Sequence, residues 1–149
     1  MLEKMADFFE NRLDGYDKHM LTNIESADEF YPYTAKQLPT TENCHILDLG
    51  CGTGLELEEY FLLNPSARIT GIDLSQGMLS ALKKKFADKD ITLICSSYFD
   101  VPFGVFSFDS AVVEQFSKCL FHQICFFGSS LSESTDAHLL SSPFHHRTD

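Results

Sequence analysis

Asp48, Gly50, Gly52 and Gly54 stand at alternate positions in "HILDLGCGTG", and Asp73 follows about 20 residues later, closing a second apolar run, "ARITGIDL". Glycines so spaced permit positive φ and let backbone N–H groups approach a ligand with no side chain between. A turn of this kind serves nucleotides in general, and the acids around it narrow the choice. The spacing is G-x-G-x-G, whereas the dinucleotide fingerprint is G-x-G-x-x-G. A pyrophosphate needs bare N–H groups at a helix N-terminus. Asp48 sets a carboxylate beside that position, and Glu56 and Glu58 add negative charge at the start of the next helix.

A ligand with positive charge and no phosphate removes this conflict. S-adenosylmethionine carries a sulfonium and an α-ammonium, which suit an acid at a strand end. Asp73 is then placed to accept hydrogen bonds from both ribose hydroxyls. An NAD-binding Rossmann domain is the reading that Asp48 and the glycine spacing disfavour.

The residues around these acids alternate strand and helix. "CHILDL" reads as a buried strand; "LELEEYFLLNP" carries Leu57, Tyr60 and Phe61 at helical spacing, with Asn64 and Pro65 as its stop. "ARITGIDL" is the second strand. Ser75 caps the helix "SQGMLSALKKKFADKD", whose Met78, Leu79, Leu82 and Phe86 share a face. "ITLICSSYF" and "FDSAVV" are the third and fourth strands. The expected fold is α/β: a Rossmann-like, mostly parallel sheet with flanking helices, of about four strands, with ligands bound where strands turn into helices.

Composition divides the chain into three parts. Residues 1–40 form a helical segment or lid, with Leu2, Met5, Phe9 and Leu13 at helical spacing and an aromatic stretch, "EFYPYTAKQLP", that Pro32 and Pro39 are expected to break. Residues 41–116 are the ligand-binding α/β domain. Residues 117–149 are atypical, rich in Ser, Phe and His, and read as a disordered tail apart from a short strand or helix at 119–127.

With 149 residues the chain suits one domain. No apolar run approaches the ~20 residues that cross a bilayer, so no membrane role is expected. A net charge of −11 weighs against a nucleic-acid surface, and Lys83, Lys84 and Lys85 read as a solvated helix face. Five cysteines without an export signal point to reduced thiols in a cytoplasmic protein. Cys119, His122 and Cys125, with His145 or His146, invite a zinc reading, but C-x2-H-x2-C is not a usual ligand spacing and no metal is expected.

"ILDLGCGTG" together with "ITGIDLSQGML" resembles the first two motifs of the class I S-adenosylmethionine-dependent methyltransferases, and "DVPFGVFSFDSAVV" is similar to their third and fourth strand region. The resemblance covers about residues 40–114. It implies that Asp48, Gly50, Gly52 and Gly54 line the methionine end of the cofactor, with Cys51 packed inside the same turn. It also implies that Asp73 holds the ribose while Leu74 and Met78 press on the adenine. The family's acid after the third strand is replaced here by Ser97, which still accepts a hydrogen bond, and Tyr98 beside it is placed to contact the ring. Tyr16 resembles an N-terminal aromatic that closes over the cofactor. The implied activity is methyl transfer to a small-molecule acceptor by direct displacement.

The ending departs from the family. After the fourth strand the family continues with a helix and further strands, on the order of 60 to 100 residues at ordinary element lengths, so the chain reads as truncated or altered there. No catalytic residue is assigned; Glu114 is the one acid placed where the family draws a base. The fourth strand would then have an open edge, inviting dimer pairing unless "CLFHQICFF" folds over it. A non-catalytic S-adenosylmethionine-binding remnant or interaction module is the alternative function.

Overall fold

The computed structural model describes residues 7, 11–23, 26–103, 107–117, 120–127 and 138–141. Two N-terminal helices, α1 (Tyr16–Asn23) and α2 (Ala27–Gln37), precede an alternating series: β1 (His45–Leu49), α3 (Leu55–Leu63), β2 (Arg68–Asp73), α4 (Gln76–Lys85) and β3 (Ile91–Cys95). β4 (Ser110–Ser117), β5 (Leu120–Phe127) and β6 (His138–Ser141) follow. Leu2, Met5 and Phe9, expected on a first helix, lie outside the described residues.

The strands form one sheet in the order β3-β2-β1-β4-β5-β6. β3, β2, β1 and β4 are parallel, as the alternation with helices requires. The chain runs outward from β1 to β2 and β3, then returns to place β4 on the other side of β1. This reversal opens a crevice at the C-terminal ends of the central strands, the place where open α/β sheets bind ligands.

β1 alternates between the two faces of the sheet. Ile46 joins a core with Leu57, Tyr60, Phe61, Leu79, Leu82 and Phe86 beneath α3 and α4, while Leu47 packs with Ile72, Phe108 and Ala111 on the opposite face. α4 begins as its sequence indicates, with the Ser75 hydroxyl accepting from the Met78 N–H at 3.2 Å. Phe30 and Tyr31 of α2 pack with Met20 of α1 and Leu55 of α3, so the N-terminal helices cover the start of α3.

Two expectations are corrected. Pro32 does not break the aromatic stretch; it lies inside α2, which runs on to Gln37 and ends just before Pro39. One intrahelical hydrogen bond is lost at Pro32, against burial of Phe30, Tyr31, Thr34 and Ala35 on the packed face. The bare edge expected on β4 is likewise not present: β5 pairs with it antiparallel from Ser110↔Phe127 to Ser117↔Leu120, and β6 extends the ladder. An antiparallel partner needs only a tight connection, whereas a parallel one needs a crossover. "CLFHQICFF" thus serves as the covering strand, an arrangement that leaves no open edge at β4.

Among the described residues no helix is long and apolar enough to cross a membrane, and no group of three or more His, Cys, Asp or Glu could hold a metal ion. Cys119, His145 and His146 of the zinc reading lie outside the described residues.

Candidate active site

β1 ends at Leu49 and the chain turns through Gly50–Gly54 into α3. Gly50, Gly52 and Gly54 all have positive φ, at 78°, 48° and 74°. The turn is anchored to the neighbouring strand: the N–H groups of Gly50 and Cys51 both donate to the Ile72 carbonyl, at 2.8 and 3.2 Å. Gly54 is required twice over, since a Cβ there would also stand 3.1 Å from Leu82 and Phe86. A Cβ on Gly52 would meet nothing within 4 Å. The middle of the turn therefore faces open space, as a ligand cradle must.

The two landmarks read from the sequence meet directly. Asp73, at the tip of β2, accepts from the Gly52 N–H at 3.0 Å through one carboxylate oxygen and from the Ser75 N–H at 2.8 Å through the other. Each oxygen retains a second lone pair for a ligand donor. Beyond β2, the Ser96 N–H donates to the Asp73 carbonyl at 3.0 Å, which brings Ser97 and Tyr98 to the same end of the sheet. Ser97 opens a turn, its hydroxyl accepting from the Phe99 N–H at 3.3 Å. Tyr98 is half-buried against the cluster of Leu47, Ile72 and Phe108.

Other expected residues are placed less simply. Leu74 is exposed beside Asp73, whereas Met78 is enclosed in the core. Cys51 turns its side chain inward against Gly71, where an added Cβ would stand 2.9 Å from its sulfur. Cys51 thus shapes the turn through packing and its backbone bonds. Asp48 and Glu56 are both fully buried. Glu114 lies on β4, outside the residues whose side chains are described.

Tyr16 packs against the cluster of Met20, Phe30, Tyr31 and Leu55, next to the residue that follows Gly54. Its neighbour Asp17 makes a link that spacing alone did not reveal. The Thr53 hydroxyl, inside the glycine turn, donates to the Asp17 carboxylate. Lys85, at the end of α4, donates to Asp17 at 2.6 Å and reaches Glu58 of α3 at 3.2 Å. α1 is thereby fastened over the turn. The only signal in the sequence was the adjacency of Asp17 to Tyr16, because the partners lie 36 and 68 positions away.

The methyltransferase domain family, as a sequence profile, matches residues 46–124, more than half of the chain. The chain belongs to this family. Within the match fall the glycine turn, Asp73, Ser97 and Tyr98, while Tyr16 and Asp17 lie ahead of it. Similar curated proteins include an uncharacterized phycocyanin operon protein W of Pseudanabaena tenuis, 44% identical over 55 residues, covering 37% of this chain and 52% of that protein. The demethylmenaquinone methyltransferase of Lactococcus lactis is 30% identical over 118 residues, 74% of this chain and 46% of that protein. The chain thus spans about half the length of these relatives. Among solved structures, a chain from the complex of the Haloferax volcanii Trm112 methyltransferase activator aligns with a TM-score of 0.55 at 23% identity, covering 72% of this chain and 46% of that one. This last likeness supports the Rossmann-like fold of the family.

Proposed function

We propose that this chain holds S-adenosylmethionine at the C-terminal edge of β1 and β2 and transfers its methyl group to a small-molecule acceptor. The observation that carries the reading is the bond from the Gly52 N–H to the Asp73 carboxylate. It joins the cradle and the ribose acid into one rigid element.

The residues present fit such a ligand. The turn faces open space at Gly52, and the buried carboxylates of Asp48 and Glu56 flank it, a setting that suits a cation and repels a pyrophosphate. Asp73, oriented by its two backbone donors, offers its remaining lone pairs to the ribose hydroxyls. Leu74 supplies apolar surface toward the adenine, with Ser97 and Tyr98 at its edge, while Met78, enclosed in the core, acts only by packing beneath it. When bound, the sulfonium provides a methyl group with its leaving group already activated. The chain's residues therefore work by alignment and by keeping water out, effects that contribute about 7–11 kcal/mol when geometry is good. α1, fastened through Asp17 to Thr53, carries Tyr16 over the methionine end as a cover. The name of the Lactococcus relative, a demethylmenaquinone methyltransferase, supports a small-molecule acceptor.

Calorimetric titration with S-adenosylmethionine, with NAD as the control, and radiolabelled methyl transfer to quinol and phenolic acceptors test the reading. Binding with turnover is the expected result. Binding without turnover turns it toward a non-catalytic S-adenosylmethionine-binding module, and a melting shift with NAD alone overturns it.

A further inference from the structure

β3 is the last strand on its side of the sheet, and among the described residues no strand lies beside its outer edge. The ladder with β2 fixes which groups face that edge. The Ile69 N–H donates to the Asp90 carbonyl and the Ser96 N–H to the Asp73 carbonyl, both at 3.0 Å. In the parallel register Ile69↔Ile91 to Asp73↔Cys95, the even-numbered residues of β3 therefore turn their backbone groups toward β2. Ile91, Leu93 and Cys95 turn theirs outward. The Ile91 carbonyl accepts from the Lys83 ammonium at 3.3 Å. The outward N–H and C=O groups of Leu93 and Cys95 have no partner among the described residues.

Alongside this edge, between β3 and α4, runs a groove of about 630 Å³. Leu79 and Leu93 give it apolar lining, and Gln76, Ser80, Lys83 and Lys84 give it polar lining. Lys83 and Lys84 are exposed and form no ion pair among the described residues, whereas Lys85 turns away to Asp17 and Glu58. In a chain of net charge −11, two unpaired cations beside a bare strand edge are a local reversal of sign.

We propose that β3 is the docking edge for a partner protein that adds an acidic extended strand to the sheet, its backbone on Leu93 and Cys95 and its carboxylates on Lys83 and Lys84. A bare edge presents main-chain groups that any strand can pair with, so side chains in the adjoining groove set which strand is accepted. Charge decides between occupants. A second copy pairing antiparallel through β3 would be related by a two-fold axis normal to the sheet. Its α4 would then lie on the same face, with like charges brought together. The lysines that oppose such pairing attract an acidic strand, so one pair of residues both excludes and selects.

The test is titration of the isotope-labelled chain with a short peptide alternating valine and glutamate, and with its counterpart carrying lysine for glutamate, read by amide resonances. Cys95→Pro is the decisive variant, because proline there takes one donor from the outer edge and none from the ladder with β2. The glutamate peptide is expected to shift the Leu93 and Cys95 amides, to bind on the order of tenfold more tightly than the lysine peptide, and to lose about tenfold in affinity to Cys95→Pro. Lys83→Glu combined with Lys84→Glu is expected to reverse the preference between the peptides, and it supplies the readout should Cys95→Pro not fold. Equal binding of the two peptides, shifts confined to other elements, or no binding overturns the proposal. Dimerisation that rises with concentration and is abolished by Cys95→Pro overturns it in favour of a second copy.

Discussion

At the N-terminal end of the parallel strands, polar side chains of the described residues bond to one another and to the backbone. The His45 N–H donates to Asp109 at 2.7 Å, the Asp109 N–H returns to the His45 carbonyl at 2.8 Å, and the imidazole bridges the Ser107 carbonyl and the Thr70 hydroxyl. Nearby, the Tyr60 hydroxyl donates to the Pro39 carbonyl at 2.6 Å and contacts Cys44, while Asn64 donates to the Thr41 carbonyl at 3.0 Å. At the opposite end, a few residues along the same elements, Glu56 is enclosed with its carboxylate unbonded among the described residues, three backbone residues hold positive φ, and the turn faces open space. One end satisfies itself; the other stores unspent bonding capacity. Active sites are where a fold tolerates this, because the ligand completes the set.

The largest effect that would break this contrast is expected from Asp73→Ala. It removes the acceptor of the Gly52 N–H, and with it the carboxylate proposed to hold the ribose. With charged hydrogen bonds worth about 1.5–3 kcal/mol each, titration is expected to show affinity for S-adenosylmethionine falling on the order of 100-fold or more. Gly71→Ala comes next: its methyl group would press on the Cys51 sulfur and on Leu93 at 3.0 Å, and overpacking of this kind costs about 1–3 kcal/mol. Denaturant melts check it, and the double variant with Cys51→Ala is expected to recover most of the loss, since the two sites are coupled.

At the self-satisfied end, Tyr60→Phe is expected to lower stability by about 1–2 kcal/mol, by leaving the Pro39 carbonyl only the weak Cys44 thiol donor at 3.4 Å, and to leave ligand affinity unchanged. An affinity loss there would dissolve the contrast between the ends. Lys85→Met breaks two partly exposed ion pairs and is expected to cost less than about 1 kcal/mol, an effect that added salt erases.

The smallest effect is one of pH. Burial, and then the charge of Arg68, hold the His45 imidazole below its usual value of 6.5. The unfolded chain therefore takes up a proton first as pH falls through 6.5. His45's contribution to stability is complete above 6.5 and declines below it until the folded form also protonates. His45→Gln is expected to flatten the slope of stability against pH in that window.

How much of this was legible in the sequence depends on the range of the interaction. β1, α3, β2, α4 and β3 were readable because apolar spacing and caps such as Ser75 and Asn64 are local signals. Asp73 was readable because its motif lies at a fixed distance from the glycines. Pro32 misled, because a local breaker was outweighed by packing of Phe30 and Tyr31 against helices distant in sequence. The union of Asp17, Thr53 and Lys85 was not readable, because nothing in a one-dimensional pattern fixes which exposed charges a folded chain brings together. Glu56 was read only as added negative charge; its enclosure required knowing that α2 lies across α3. The extension of the sheet by β5 and β6 was half-read, since an apolar run such as "CLFHQICFF" does not reveal its pairing partner.

The Cys51 thiol, held against Gly71 beneath the glycine turn, can serve as a clock. A labelling reagent reaches it only while the turn is open, whereas exposed Cys95 reacts at once. The lag between the two sites measures how often the cradle opens, and a ligand that seals the cradle lengthens the lag without any turnover being needed.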